Sequence, residues 1–352
     1  MSRVTIKDVA AAAGVGIATV SRVARNSSAV SAGLRQRVES AMEELGYEPN
    51  ANAQTMRTRS SRTIACAIRD SSIPEFATFI HAAETVVRQA GYTLMLTNTA
   101  EDPTREMDLI KTLSRRGVDG IFMTKSQEGD PAIDQALDRL GIPVVFIDRY
   151  PSAMADTVVI DHKRGISSAI DHLVSLGHER IALVTGRPTM RPGQERLHAY
   201  YEALKRHGIE ADPRLVSAQS FSAEHSFHYV SLLLGEEAPP TAIIAGGMSL
   251  LPAVLRAIRL RGLEVGRDIS LIAGCDSDLA ELTSPAITAI RWDVPAWGRT
   301  SAQLLLDRLS APETAAGRQI ILPTELVIRG SCARPVIKSL VPVKTGQEVL
   351  GM

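Results

Sequence analysis

The sequence has few of the features that mark secreted or membrane proteins. Its three cysteines, Cys66, Cys275 and Cys332, are odd in number, far apart and without the spacing of metal ligands. No stretch approaches the roughly 18 consecutive apolar residues of a membrane span, and no charged and then apolar leader precedes Val4. We therefore expect reduced thiols, no membrane span and a cytoplasmic location.

The motifs of common α/β enzymes are also missing. There is no Gly-x-Gly-x-x-Gly after a strand pattern, no phosphate-binding Walker loop and no Gly-x-Ser-x-Gly elbow, and the eight histidines are scattered. These absences argue against an enzyme and predict no catalytic residues, no metal and no cofactor. An α/β enzyme stays open as an alternative that a turnover assay would decide.

The formal net charge is zero, but the charge is unevenly placed. Residues 1–62 hold nine Lys and Arg against five Asp and Glu, and the remainder holds 30 against 34. A basic amino-terminal end on an acidic body favours contact with nucleic acid at that end alone. At 352 residues the chain is also long enough for two or three domains.

The basic end begins with two short amphipathic helices. Thr5 and Asp8 can cap a helix over residues 6–13, whose apolar residues follow the i, i+3, i+4, i+7 spacing. Gly14 and Gly16 then break the helix, and a second helix follows over residues 17–24. This pattern predicts a helix-turn-helix, the second helix of which enters the major groove of DNA.

The second helix divides into a buried and an outward face. Val20 and Val23 supply the buried face, whereas Ile17, Ala18 and Arg22 point outward. An Arg in this position reaches guanine as a two-pronged donor, and small apolar side chains contact thymine methyl groups. We predict Arg22 as the main base reader. Phosphate contacts are expected from the polar residues nearby, which are Thr5, Lys7, Thr19, Ser21 and Ser31.

A third helix is predicted over residues 32–45, behind Ser31 as N-cap and ending at Gly46. Three short helices then share one small core. Read by themselves, such helices also fit a plain helical subdomain with no role in DNA binding. The next residues, Tyr47-Glu48-Pro49-Asn50-Ala51, favour the DNA-binding interpretation because they complete a more specific pattern.

Four stretches together closely resemble the DNA-binding headpiece of the LacI/GalR repressor family. They are Thr5-Ile6-Lys7-Asp8-Val9-Ala10, Ala13-Gly14-Val15, Ala18-Thr19-Val20-Ser21-Arg22-Val23 and Glu44-Leu45-Gly46-Tyr47-x-Pro49-Asn50-Ala51. The resemblance implies a homodimer on double-stranded, near-palindromic operator DNA and thus an association with the nucleoid. It also implies that residues 50–57 form a hinge helix in the minor groove, with contacts from Asn50, Ala53 and Met56. Met56 stands where the family has a Leu wedge, and an ordinary dimer contact is its alternative role.

From residue 63 onward, short apolar runs alternate with amphipathic helical patterns. This alternation predicts an α/β body of two doubly wound parallel-sheet lobes, with ligands bound beyond the carboxyl ends of the strands. The predicted strands cover residues 63–68, 92–97, 118–123, 143–148, 181–185, 215–218, 242–245, 269–273 and 287–290. The predicted helices lie near residues 76–90, 104–116, 131–140, 164–176, 194–207, 223–234, 249–261 and 294–309.

Residues 63–330 resemble the periplasmic-binding-protein-like body of the same regulators, on the stretch from Gly177 to Gly186 and on Glu195-Arg196. The resemblance implies three crossings between lobes, near 161, 291 and 323. The expected domains are a headpiece (1–48), a hinge and linker (49–62), a two-lobed body (63–335) and a tail (336–352). The amino-terminal lobe takes about 63–161 and 292–322, and the carboxyl-terminal lobe takes about 162–291 and 323–335.

The resemblance also implies which residues contact a small-molecule effector in the cleft. Arg196 is expected to bind ligand hydroxyls or carboxylates, Asp276 to accept sugar hydroxyls, and Phe221 to stack on the ligand. A surface Arg, a helix-capping Asp and a core Phe are the respective alternatives. Weaker candidates are Asp148, Asp70 and Ser72, which lie in loops of the right kind.

The chain departs from the family pattern at Gly247-Met248, where an Asn-Asp pair is usual, and at Trp292, where many members have Gln. These departures predict a flatter and more aromatic pocket that includes Gly247 and Trp292. A third departure, Gly16 in place of Ser at the N-cap, costs a few tenths of a kcal/mol. The sequence thus predicts a ligand-controlled repressor of a carbohydrate operon. A transport receptor without a DNA role is its alternative, and a nucleobase is the second choice of effector.

Overall fold

A computed structural model describes residues 4–24, 29–47, 60–151, 155–311 and 316–336 of the chain. It divides into two compact units, Met1–Arg62 and Thr63–Met352. Within the described ranges, no helix is both long and apolar enough to cross a membrane.

The first unit is a bundle of three short helices, as the sequence predicts. They are α1 (Ile6–Ala12), α2 (Ile17–Val23) and α3 (Ala32–Leu45). Val9, Val20 and Val38 are fully buried and form the centre of a small core. Gly46 ends α3 in the left-handed region at φ 60°, which glycine adopts without steric cost. The spacing of the apolar residues therefore fixes both the helices and their common core.

The second unit is built on two six-stranded sheets. The first has the order β11-β5-β4-β3-β1-β2 and is parallel throughout, and the second has the order β12-β10-β9-β8-β6-β7. In the second sheet only β12 is antiparallel to its neighbour among the described strands. The strands are β1 (Thr63–Ile68), β2 (Thr93–Asn98), β3 (Gly120–Met123), β4 (Val144–Ile147), β5 (Asp156–Ile160), β6 (Ile181–Thr185), β7 (Val216–Ala218), β8 (Ala242–Ala245), β9 (Ser270–Ala273), β10 (Thr288–Arg291), β11 (Gln319–Leu322) and β12 (Glu325–Val327).

Helices connect most of these strands and cover the sheets. The helices of this unit are α4 (Pro74–Gln89), α5 (Pro103–Arg116), α6 (Pro131–Leu140), α7 (His162–Ser175), α8 (Arg191–Arg206), α9 (Ala223–Leu233), α10 (Leu251–Leu260), α11 (Asp278–Leu282) and α12 (Val294–Ser310). Most of the central strands are buried along their whole length, which is why they are recognisable as continuous apolar runs. The predicted fold class, a helical headpiece and a two-lobed α/β body, is confirmed.

We call the part built on the first sheet the first lobe and the part built on the second sheet the second lobe. The chain passes between the sheets three times, because β6 to β10 follow β5, β11 returns to the first sheet, and β12 lies in the second. Three of these strands, β5, β11 and β12, and the short helix α11 were missing from the sequence prediction. In a doubly wound sheet, the loops at the carboxyl ends of the parallel strands form the ligand site.

Candidate functional site

The outward face of α2 carries the predicted base-reading residues. Ile17, Ala18 and Arg22 are exposed, whereas Val20 and Val23 are buried against the other two helices. Ile17 keeps 46% of its surface exposed although it is a large apolar residue. In a helix-turn-helix, apolar side chains and an Arg on the outward face of the second helix can contact thymine methyl groups and guanine edges.

The residues predicted to contact phosphate lie at helix starts and on partly exposed surfaces. Thr5 caps α1, and Asp8 accepts hydrogen bonds from its backbone nitrogen at 2.8 Å and from its hydroxyl at 2.7 Å. The backbone hydrogen bond from Thr5, with the bond from its hydroxyl, lowers the pKa of Asp8. Ser31 is the N-cap of α3 but its side chain makes no capping hydrogen bond. Lys7 is exposed, and Thr19 and Ser21 are half-buried.

The hinge candidates Asn50, Ala53 and Met56 lie outside the described residues. Their predicted contacts in the minor groove therefore stay predictions.

A large cavity opens between the two lobes at the carboxyl ends of their strands. This outer cleft has a volume of about 1050 Å³. It narrows to a second cavity of about 60 Å³, the inner chamber, with which it shares Arg69, Glu75, Glu101 and Phe221. The predicted residues Asp70, Ser72 and Asp276 line the outer cleft, and Asp148, Arg196 and Gly247 line the inner chamber.

The guanidinium of Arg196 lines the inner chamber without an ion-pair partner among the described residues. Its side chain is on α8 and only 5% exposed, and no described residue accepts a hydrogen bond from it. Burial lowers the pKa of its guanidinium, while the carboxylates of Asp148 and Glu75 act in the opposite direction. A buried guanidinium with five free donors is costly unless a partner supplies acceptors. A ligand with hydroxyl or carboxylate oxygens would supply them.

Phe221 stands at the junction of the two cavities, between two cations. Its ring centre lies 4.8 Å from the guanidinium carbon of Arg69 and 5.7 Å from that of Arg196. The ring also covers Gly247, where an added Cβ would lie 2.9 Å from Phe221 Cδ1. Because φ of Gly247 is −175°, an extended value that any residue adopts, glycine is needed there for space. The aromatic ring thus occupies room that a side chain at position 247 would take.

Asp148 is committed to partners within the protein. It is 7% exposed, accepts a hydrogen bond from Arg191 Nη1 at 2.6 Å, and lies 2.7 Å from Nε2 of His162. Burial lowers the pKa of His162 to about 4, so the imidazole is neutral at pH 7. Burial opposes the charge on Asp148, but His162 and Arg191 outweigh it and keep its pKa below the ordinary value. Asp148 therefore joins the lobes and has little capacity left for an effector.

Two other predicted carboxylates also have internal partners. Asp276 forms a two-pronged ion pair with Arg329, at 2.7 and 2.9 Å. Asp70 accepts hydrogen bonds from the backbone nitrogen and hydroxyl of Ser72, and these bonds lower its pKa. Both carboxylates face the outer cleft, so each can accept a ligand hydroxyl only beside its existing partner.

Trp292 does not line either cavity, which corrects the prediction of an aromatic pocket wall at this position. It is 7% exposed, belongs to the core and lies edge-on to His162, with ring centres 6.1 Å apart. The residue follows β10, where the chain leaves the second sheet. Trp292 lies where the chain crosses from one lobe to the other and not in a loop that faces the cleft, which is why it is part of the core.

Two acidic residues of the site were missed by the sequence prediction. Glu75 lies in the first turn of α4 and lines both cavities, and Glu101 pairs with Arg69 at 3.1 Å and with Arg187 of the second lobe at 3.2 Å. Asp70 and Ser72 follow strand β1 closely, which makes them candidates in the sequence, whereas Glu75 lies a few residues further along, in the first turn of α4. Across the described ranges, no three His, Cys, Asp or Glu side chains are grouped as metal ligands.

Both units match families of known proteins. Residues 5–50 match the model of bacterial regulatory proteins of the lacI family, and residues 170–332 match that of the periplasmic binding protein-like domain. The HTH-type transcriptional regulator DegA of Bacillus subtilis (strain 168) is 32% identical over 94% of this chain and 98% of its own length.

Two solved structures share the same architecture over 94% of this chain and all of theirs. The complex of the transcriptional regulator CelR with cellobiose has 32% identity and a TM-score of 0.70. The lac repressor dimer bound to operator and an anti-inducer has 29% identity and a TM-score of 0.82. The chain belongs to the LacI family of bacterial transcriptional regulators, which combine a DNA-binding headpiece with a periplasmic-binding-protein-like body.

Proposed function

We propose that this regulator is a repressor of a carbohydrate uptake or catabolism operon, and that a sugar or sugar derivative in the cleft controls it. The main support for an effector site is that the guanidinium of Arg196 is buried, faces the inner chamber and has no hydrogen-bond acceptor among the described residues. Beside it, Phe221 offers an aromatic face for the apolar side of a sugar ring. A cleft of about 1050 Å³ has room for a disaccharide.

The proposed DNA contact uses the outward face of α2. Arg22 reads a guanine, Ile17 and Ala18 contact neighbouring bases, and Thr5, Lys7, Thr19, Ser21 and Ser31 position the headpiece on phosphates. Asn50, Ala53 and Met56 are proposed to enter the minor groove at the operator centre. The lac repressor dimer on its operator supports this arrangement for a relative of the same fold.

A homodimer is part of the proposal, because a near-palindromic operator needs two headpieces. Large apolar side chains on the surface of the body support it: Leu282 is 82% exposed and Leu96 is 44% exposed. Leu282 lies on the short helix α11, and Leu96 is on β2, an edge strand of the first sheet. A second copy of the chain would cover such surfaces.

The proposed control acts through the angle between the lobes. Both lobes contribute to the inner chamber, Glu75 and Arg69 from the first, and Arg196 and Phe221 from the second. A ligand that contacts both sides favours one lobe angle over another, and a coupling free energy of about 1–3 kcal/mol changes operator affinity about 5- to 150-fold.

The test starts from an operator selected out of random DNA by the full-length protein. Binding to that operator is measured by fluorescence anisotropy, alone and with neutral sugars, sugar acids, sugar phosphates and nucleobases. We expect a dimer on a near-palindromic site and a change in Kd of at least about fivefold with one sugar. DNA binding without sequence preference would refute the regulator, and a response to a nucleobase alone would refute the carbohydrate assignment.

A further inference from the structure

Glu75 is a carboxylate at the effector site that the protein itself leaves without a partner. It follows Pro74 in the first turn of α4 and lines both the outer cleft and the inner chamber. No described residue donates a hydrogen bond to it or forms an ion pair with it. By contrast, Glu101, Asp148 and Asp276, the neighbouring carboxylates, each have an Arg partner within the protein.

Titratable and charged groups from several other elements surround Glu75. Arg196 on α8, Asp148 after β4, Arg69 after β1 and Cys275 after β9 interact with it electrostatically. Glu101 and Arg149 line the same inner chamber. Burial raises the pKa of Glu75 to about 7, while Arg196 partly opposes the shift and Asp148 adds to it. The pKa of Cys275 lies well above its ordinary value because of burial, and that of Asp148 lies below its ordinary range. With a pKa of about 7, Glu75 changes its charge between pH 6 and pH 8.

Glu75 and Arg196 face the same chamber from different lobes but form no direct ion pair. The chamber thus presents an unused acceptor on one side and an unused fork of donors on the other. A third polar atom, the hydroxyl oxygen of Thr124, is buried without a partner in the same chamber, and Thr124 is 1% exposed. Arg196 and Thr124 are buried and Glu75 is half-buried, and all three line the inner chamber without a hydrogen-bond partner among the described residues. Buried polar groups without partners are rare in proteins.

We propose that Glu75 determines the charge of the effector: the chamber binds a ligand end that donates a hydrogen bond to Glu75 and accepts one from Arg196. Two neighbouring hydroxyl groups of a neutral sugar do both. Once Glu75 is ionised, a carboxylate or phosphate at this end satisfies Arg196 but has no proton to donate to Glu75 and is repelled by its charge. A protonated Glu75 would instead donate a hydrogen bond to such an anion. The inference rests on the proposed function and narrows its effector class at pH 8 to neutral sugars, with sugar acids and sugar phosphates disfavoured.

Binding of such a ligand should depend on pH. A sugar hydroxyl donates best to the ionised carboxylate, so binding favours the charged form of Glu75 and releases a proton. Affinity then rises with pH across the range in which the free carboxyl titrates, around pH 7. With one such group, the gain between pH 6 and pH 8 approaches about tenfold.

The experiment compares the full-length wild type with Glu75→Gln and with the control Glu84→Gln. Glu84 is a half-buried residue of the same helix that lines neither cavity. Thermal shift and calorimetric titration at pH 6 and pH 8 use cellobiose, ribose, glucose, glucuronate and glucose 6-phosphate. We expect the wild type to bind a neutral sugar and to bind it more tightly at pH 8. Glu75→Gln should lose this pH dependence and, at pH 8, gain affinity for glucuronate or glucose 6-phosphate. Glu84→Gln should match the wild type.

Three results would overturn the assignment of Glu75. They are a wild type that prefers the anionic sugars, a Glu75→Gln variant with unchanged pH dependence, and no response of any variant to the panel at millimolar concentration. The proposed function is read out separately, by operator affinity in the presence of the same sugars. If the sugar changes operator affinity and Glu75→Gln behaves as the wild type, only this inference fails. If Glu75→Gln behaves as expected and no sugar changes operator affinity, the proposed function fails instead.

Discussion

Arg191 Nη1 in the second lobe lies 2.6 Å from Asp148 Oδ1 in the first lobe, and the same nitrogen donates to the carbonyl oxygen of Ile160 at 3.1 Å. Both side chains are almost completely buried, Arg191 with 5% and Asp148 with 7% exposed. A second ion pair between the lobes, Arg187 with Glu101 at 3.2 Å, is half-exposed on the Arg side. Both ion pairs connect the same two lobes, but only the Arg191–Asp148 pair is buried on both sides. Variants of the two pairs therefore compare how much a buried and a more exposed ion pair contribute to stability.

Arg191→Met is expected to lower the free energy of unfolding by about 3–5 kcal/mol, because it leaves the buried carboxylate of Asp148 without its Arg partner. Arg187→Met removes the more exposed pair and should cost at most about 1 kcal/mol. Urea denaturation of both variants at pH 7 measures the difference. Equal losses would show that burial of the Asp148 pair is unimportant for stability.

Gly247→Ala should displace the ring of Phe221 and cost about 1–3 kcal/mol, because the new Cβ would lie 2.9 Å from Cδ1 of that ring. Phe221→Ala removes the obstacle, so adding Gly247→Ala to it should cost almost nothing. A double-mutant cycle on the free energy of unfolding measures this coupling. Additive losses would mean that another neighbour requires the glycine.

Glu75→Gln should alter the pH dependence of stability in the absence of any ligand. The folded protein holds the Glu75 proton more tightly than the unfolded chain, with a pKa of about 7 against an ordinary value of 4.5. Raising the pH from about 4.5 through about 7 therefore lowers the contribution of Glu75 to the free energy of unfolding, and the loss is complete above that range. The Tm of the wild type minus that of the variant, followed from pH 5 to pH 8, should fall. A difference in Tm that stays constant from pH 5 to pH 8 would contradict the raised pKa of Glu75.

Arg196→Ala should abolish the effector response while operator affinity stays intact. The variant removes charge-assisted hydrogen bonds to the ligand, which are worth about 1.5–3 kcal/mol, or roughly 10- to 150-fold in affinity. It loses the contact with the ring of Phe221 but no hydrogen bond to a described residue, so the fold should be preserved. Ligand titration and operator anisotropy on one preparation test both statements, and loss of both activities would indicate a structural role.

Arg22→Ala should reduce discrimination among operator sequences by about 1–3 kcal/mol at one base pair of each half-site. The matched variant Lys7→Ala should weaken binding to all sequences alike and reduce the salt dependence by about one phosphate contact. Competition between the selected operator and single-base variants at fixed salt separates the two effects. Equal losses on all sequences for Arg22→Ala would assign it to phosphate instead of a base.

The sequence predicts helices and strands correctly where the pattern of apolar residues matches the burial of those residues in the folded protein. The three helices of the headpiece and strands such as β1 and β6 lie at the predicted residues, because regular apolar spacing and buried parallel strands leave a direct trace in sequence. Strand β5 was missed because it starts with Asp156, a charge that breaks the apolar pattern. That carboxylate is fully buried and is neutralised by Arg308 and Arg318, more than 150 residues further along the chain.

The family, the helix-turn-helix and the alternation that produces two parallel sheets are visible in the sequence, because each depends on local spacing and on motifs within one stretch of chain. Which polar groups of the cleft are free depends on the tertiary structure. Asp148 and Asp276 have the chemistry of ligand-binding residues, but Arg191 and Arg329, distant in sequence, form ion pairs with them. Glu75 and Arg196 are left without partners for the same physical reason: whether a charge is satisfied depends on which residues folding brings within hydrogen-bond distance.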